Sequence, residues 1–140
     1  MAETNFVIRK VAVLGAGVMG AQIAAHLVNA GVPTVLFDLP DPGGGNGIVL
    51  KSIAALGKQP PPPLGTRDLA ELIEPANYSQ NLGRLAECDL VIEAIAERLD
   101  WKSELYRKVA PALSPQAIFA TNTSGLSIGA LAAVCPQPLR

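Results

Sequence analysis

The sequence predicts an α/β fold, a doubly wound and mainly parallel sheet covered by helices on both faces. Three observations predict it. Short apolar runs, "VAVL" (11–14), "TVLF" (34–37), "LVIEAI" (90–95) and "AIFAT" (117–121), have the length and branching of strands buried on both faces. Between them lie segments with helical spacing of apolar residues. Strand, helix and strand also follow one another within about 30 residues, which makes the strands parallel. A chain of 140 residues with 49% apolar content is enough for one domain and one real core.

Val11 to Leu14 opens the sheet. The helix after it carries Gly20, Ala24, Leu27, Val28 and Gly31 on one side, with Gly31 placed for a left-handed cap. Thr34 to Phe37 is a second strand, closed by Asp38. Residues 41–66 form an irregular Gly/Pro-rich insertion: "DPGGGNG" is loop, "IVLKSIAAL" a short helix, and "KQPPPPLG" a stiff extended connector or a Pro-rich docking ligand. Thr66 is placed to cap a short helix through Leu72, and "NLGRLAECD" reads as a helix or turn. Asp100 is placed to cap the next helix, with Leu105, Val109 and Leu113 inward and Pro115 as its stop. Ala117 to Thr121 is a buried strand. A polar turn holding Asn122, Thr123 and Ser124 follows, and a short helix starts at about Ser127.

Eleven Lys and Arg face twelve Asp and Glu, so the net charge of -1 offers no basic field for nucleic acid or anionic lipid. The aromatics are few and scattered, unlike a base-stacking platform. Cys88 and Cys135 form no CxxC pair, and with one histidine no metal site is expected. Sparse, unpaired cysteines suit a reducing compartment, and the expected location is cytoplasmic. The uncharged stretch between Lys10 and Asp38 is broken by Gln22, His26, Asn29 and several glycines. It is therefore expected neither to span a membrane nor to be a signal segment.

Gly15-Ala16-Gly17-Val18-Met19-Gly20 is a GxGxxG turn between a buried strand and an amphipathic helix, the pattern of a Rossmann-type nucleotide site. Gly15 allows the sharp turn, and Gly17 lacks a Cβ that would block a diphosphate. Gly20 lets the helix pack closely, and the helix start offers free N–H groups and partial positive charge. Asp38 lies 18 residues beyond Gly20, where a carboxylate accepts from a ribose diol and repels a 2′-phosphate. With Leu39-Pro40 next instead of a basic residue, NAD is expected over NADP, and FAD is the rival.

Glu97, just past its strand, and Lys102, in the first turn of the next helix, project over the ligand-binding edge. They frame the nicotinamide half of a cofactor or form a plain surface ion pair. His26 shares the outer face of its helix with Gln22 and Asn29, as a solvated histidine does. Ser124 sits where chemistry is common, yet no histidine or free carboxylate follows it to act as base; its other reading is a turn cap.

"KVAVLGAGVMGAQIAAHLVNAG", "LVIEAIAERLDWKSELY" and "IFATNTSGLSI" together resemble the N-terminal domain of the NAD-dependent 3-hydroxyacyl-CoA dehydrogenases of fatty-acid β-oxidation, most closely the long bacterial forms. The resemblance covers nearly the whole chain. It implies that Gly15 to Gly20 hold the diphosphate and that Asp38, with Leu39 beside it, holds the adenosine ribose. Ala94, Ile95, Glu97 and Lys102 would border the nicotinamide ribose, with Asn122 beside the ring. Ser124 would be the catalytic and substrate-binding hydroxyl at the reacting oxygen. Lys51 and Lys58 are the basic residues left where compact members contact coenzyme A, so Lys58 is the candidate for that contact. In members of the family a Phe-x-Gly-x-His-Phe-Phe-Asn-Pro stretch supplies the base shortly afterwards. The sequence reaches "PQPLR" first, so residues 1–140 are expected to be a single NAD-binding domain from a longer protein. The substrate and dimerisation domain would lie beyond it.

The whole protein would then oxidise (3S)-3-hydroxyacyl-CoA to the 3-ketoacyl-CoA as a homo-oligomer or in a multienzyme complex. Two alternatives remain open at this point: a dehydrogenase of a small CoA-free hydroxyacid, and a stand-alone NAD-binding regulatory module.

Overall fold

A computed structural model of the chain describes residues 6–136; residues 1–5 and 137–140, the ends of the expected domain, lie outside the described residues. Five strands, β1 (Val11–Leu14), β2 (Thr34–Asp38), β3 (Ile73–Asn77), β4 (Leu90–Glu93) and β5 (Ile118–Thr121), pair in the order β3-β2-β1-β4-β5, all parallel. Helices α1 (Val18–Asn29) and α2 (Gly47–Leu56) cover one face, and α3 (Leu99–Val109) and α4 (Ile128–Val134) the other. The period of two along each strand divides the core accordingly. Ala12, Leu14, Val35 and Phe37 pack toward α3, while Val13 and Leu36 pack toward α1. The doubly wound, parallel sheet expected from the sequence is the one found.

The first turn follows the glycine argument in physical detail. Gly15 has φ +109°, and a Cβ there would press on the Ala94 carbonyl oxygen at 2.7 Å. A Cβ on Gly20 would collide with the Gly15 carbonyl, so this glycine serves the approach of α1 to its own loop. Gly31 caps α1 at φ +79°. The buried stripe of α1 is Gly20, Ala21, Ala24, Ala25 and Val28, one residue round from the expected one, leaving Leu27 half-buried. Small residues let the helix lie flat on the sheet, and Leu27 reaches the rim.

Other elements depart from expectation. β3 was not foreseen, because Glu74 and Pro75 break any strand pattern. It survives as an edge strand paired only with β2, where a missing N–H on the outer side costs nothing. β5 is the opposite edge and is half-exposed instead of buried. Thr66 precedes a 3-10 turn (Arg67–Leu72) without capping it through its side chain. Arg98, not Asp100, holds the N-cap position of α3; Asp100 lies in the first turn, 2.8 Å from the Arg98 guanidinium. α3 ends at Val109 because Pro111 already forces a 3-10 turn (Ala110–Ala112), so Leu113 lies beyond the helix.

The insertion is tied down more firmly than its composition suggests. Asn77, fully buried, donates to the Asn46 and Gln80 side chains at 2.9 Å, and Gly45 donates to Gln80 at 3.1 Å. Asn29 donates to the Pro63 carbonyl at 2.7 Å and accepts from Gly65 at 2.9 Å, which pins the proline connector to the end of α1.

Gly17 and Gly20, two of the three glycines of the turn, should separate in a stability assay. Gly20→Ala is expected to lower stability by roughly 1–3 kcal/mol through overpacking. Gly17→Ala, whose Cβ would meet nothing within 4 Å, should leave the thermal midpoint unchanged or slightly raised.

Candidate functional site

β1 has β2 on one side and β4 on the other, so the loops leaving these strands diverge and open a crevice at the C-terminal edge of the sheet. It measures about 510 Å³, and of the candidate cofactor residues Gly15, Gly17, Asp38, Leu39, Ala94 and Ile95 line it, whereas Glu97, Lys102, Asn122 and Ser124 do not. Tyr78, Ala96, Trp101 and Lys108 also line it and were not foreseen. Met19 and Val18 are exposed in the first turn of α1, whose N-cap is Gly17 and whose first turn carries no acid. The start of that helix is thus a place for an anion. Ala16 borders a separate hollow of about 280 Å³ between the turn and α2.

Asp38 ends β2 with its carboxylate already oriented: Oδ2 accepts from the Ala16 N–H and Oδ1 from the Leu39 N–H, each at 2.7 Å. The glycine turn and the acid are therefore one rigid unit, with lone pairs of the carboxylate left for a diol.

Around β4 the structure corrects the sequence reading. Lys102 does not project over the edge; its ammonium is fully buried and donates to Glu93 Oε2 at 2.6 Å. Glu93 closes β4 and is equally buried. Its Oε2 also accepts from the Ile95 N–H at 2.9 Å, while Oε1 accepts from the Tyr106 hydroxyl at 2.6 Å and Thr121 Oγ1 at 2.9 Å. Glu97 lies 3.4 Å from Lys102 but is mainly engaged elsewhere. Its Oε2 accepts from Thr123 Oγ1 at 2.8 Å, the Gly125 N–H at 2.9 Å and the Ser124 N–H at 3.2 Å. The expected frame of Glu97 and Lys102 is in fact a chain of contacts running from β4 through Lys102 to the turn after β5.

These donors, the Gly125 N–H first and Thr123 next, hold the Glu97 carboxyl down at about 2. A carboxylate so stabilised is a poor proton acceptor near neutrality. Ser124 stands exposed on the turn that Glu97 fixes, and its hydroxyl makes no hydrogen bond among the described residues. Helix α4 is capped instead by Ser127, which accepts from the Ala130 N–H. Asn122 is exposed beside this turn, its N–H bonded to the Glu93 carbonyl at 2.8 Å. His26 is exposed on α1, and Lys51 and Lys58 are exposed on and beyond α2, away from the crevice lining. The signal for Glu93 was present in "LVIEAI": an acid inside a strand otherwise built for burial needs a cation nearby. Tyr78 had no such signal, because the strand before it was not legible.

Comparison with known proteins agrees with this fold. The family model for the 3-hydroxyacyl-CoA dehydrogenase NAD binding domain matches residues 10–140. A protein of Deinococcus radiodurans named as a probable 3-hydroxyacyl-CoA dehydrogenase is 43% identical over 121 residues, 85% of this chain and 35% of that protein. The fatty acid oxidation complex subunit alpha of Psychrobacter arcticus is 33% identical over 94% of this chain and 18% of its own length. The crystal structure of 3-hydroxybutyryl-CoA dehydrogenase from Escherichia coli superposes with a TM-score of 0.76 at 30% identity, covering 94% of this chain and 28% of that one. The chain thus spans well under half the length of each of these relatives. No helix among the described residues is long and apolar enough to cross a membrane.

Two outcomes follow from the charges. Lys102→Met leaves Glu93 buried without its cation and is expected to lower unfolding free energy by about 3–5 kcal/mol in a denaturant titration. Glu97, with its folded pKa depressed, stabilises the fold above its ordinary value of 4.5, and that contribution fades as pH falls toward about 2. Glu97→Gln should therefore flatten the stability–pH curve across that window while leaving its slope above pH 5 unchanged.

Proposed function

The chain belongs to the 3-hydroxyacyl-CoA dehydrogenase NAD-binding domain family, and we propose that it is the dinucleotide-binding part of a longer enzyme that oxidises (3S)-3-hydroxyacyl-CoA to the 3-ketoacyl-CoA. The observation that carries the reading is the crevice itself, with Asp38 and the glycine turn locked together on one side and the loop after β4 and the start of α3, through Ile95 and Trp101, on the other. A dinucleotide suits this site: Gly17 leaves open space over the helix start, and Asp38 presents a carboxylate beside it. NAD, when bound, supplies the acceptor for hydride.

The chain's own residues would then divide the work. Gly15 to Gly20 and the N-terminus of α1 take the diphosphate, and Asp38 and Leu39 take the adenosine ribose. Ala94 and Ile95 border the cofactor at the mouth of β4. Glu97 and Lys102 act by holding the turn that carries Asn122 and Ser124, while Asn122 lies toward the nicotinamide. Ser124 donates to the reacting oxygen of the substrate. A hydrogen-bond donor placed there steadies developing charge on that oxygen. Proton removal needs a separate base, since Glu97 is held ionised by its donors and His26 lies outside the crevice lining. The 140 residues alone would bind NAD and turn over essentially nothing. The name of the Psychrobacter relative supports a place in a multienzyme fatty acid oxidation complex, and the cysteine usage supports a cytoplasmic location.

Calorimetric titration tests the cofactor part. NADH is expected to bind at least about tenfold more tightly than NADPH, a difference of about 1.4 kcal/mol. Equal or tighter NADPH binding contradicts the role of Asp38. In a protein of the relatives' length, a short 3-hydroxyacyl-CoA should be oxidised far faster than its free acid. The reverse order would favour a dehydrogenase of small CoA-free acids.

A further inference from the structure

Tyr78 follows directly on β3, one strand outward from Asp38, and its N–H donates to the Asp38 carbonyl at 3.3 Å. The residue is 5% exposed, stacks on Phe37 with ring centroids 5.8 Å apart, and lines the crevice together with Asp38 and Leu39. Its hydroxyl, with under 1 Å² open to solvent, meets no hydrogen-bond partner among the described residues. Every other buried side-chain nitrogen and oxygen among those residues is paired. The anomaly is therefore local.

An unmet buried hydroxyl destabilises the protein that carries it, and phenylalanine would fill the same place and stack on Phe37 without that cost. Burial, followed by the Asp38 and Glu93 carboxylates, pushes the phenol well above its ordinary pKa, so the group remains a donor. The place of the residue, at the end of β3 beside the end of β2, is fixed by topology. The diphosphate falls at β1 and the ribose at the end of β2, so the side toward β3 is the adenosine end.

We propose that the Tyr78 hydroxyl donates a hydrogen bond to the adenosine half of the bound dinucleotide, after a small tilt of the phenol into the crevice. The inference rests on the dinucleotide reading given above. A modest departure from a rotamer minimum costs less than leaving a buried donor unmet, so binding favours the tilt. Tyr78 is then a cofactor-positioning residue that the glycine turn and its acid do not include.

Tyr78→Phe in the full chain tests it. The reporter is Trp101, the single tryptophan of the sequence, which lines the same crevice. Titration of its fluorescence with ADP-ribose, NADH and reduced nicotinamide mononucleotide gives three affinities. The variant should bind ADP-ribose and NADH roughly fivefold more weakly, as loss of one neutral hydrogen bond requires, and the mononucleotide as the parent does. Its thermal midpoint without ligand should be equal or higher, opposite in sign to the binding loss. Unchanged ADP-ribose affinity would overturn the proposal, leaving the hydroxyl merely hydrated. Weaker mononucleotide binding to the same degree would overturn it as well, by showing a deformed crevice. If the parent itself ignores NADH and ADP-ribose, the dinucleotide reading falls, and this inference with it.

Discussion

The pairing of Glu93 with Lys102 is the constraint on which the binding edge depends. Two full charges sit with no solvent exposure at the tip of the interior strand β4. That arrangement persists only if the carboxylate is saturated, and it is: the ammonium, a phenol, a threonine hydroxyl and a backbone N–H fill both oxygens. The four donors come from three pieces of the fold. Lys102 and Tyr106 bring α3, Thr121 brings β5, and Ile95 brings the loop bordering the crevice. One buried carboxylate thereby fixes the relative position of three elements. An apolar pair of similar volume could hold the elements together, but it would not specify their orientation so narrowly.

The same network shapes the chemistry available at the edge. Lys102 and Thr121 each pass the constraint outward, toward Glu97 and Thr123. Glu97 then gathers the Thr123, Ser124 and Gly125 donors around one oxygen, so an exposed turn acquires a defined shape. A carboxylate used in this way is an orienter and not a base. In the crevice Asp38 plays a comparable part, joining the end of β2 to the Ala16 N–H. Acids therefore brace two loops at this edge of the sheet: Asp38 the glycine turn, which lines the crevice beside the open helix start, and Glu97 the turn after β5, which lies outside that lining. Such a site accepts an anion in the middle and hydroxyl-rich groups at its flanks, which is the charge pattern of a dinucleotide.

The edges of the sheet contrast with this central order. β3 carries a proline and is buttressed by the Asn77 clasp, whereas β5 is half-exposed along its length. Ile118 and Ile128 add exposed apolar surface on that side. The most fully packed part of the molecule is thus its centre, where strands have neighbours on both sides and helices on both faces.

What the sequence determined by itself was whatever rests on local geometry. The apolar runs, the glycine turn, the cap at Gly31, Asp38 at the end of β2 and Ser127 at the start of α4 are consequences of sterics and spacing within a few residues. The tertiary structure decided what depends on partners far apart in the chain. β3 is a strand only because β2 lies beside it. Lys102 is buried only because Glu93 waits at the end of β4, and Glu97 binds a turn that begins 26 residues later. Tyr78 faces the crevice because a strand invisible in the sequence delivers it there. Charge pairing and edge pairing join residues that meet only when the chain has folded, so a local pattern such as the acid in "LVIEAI" announces the need for a partner but not which residue meets it.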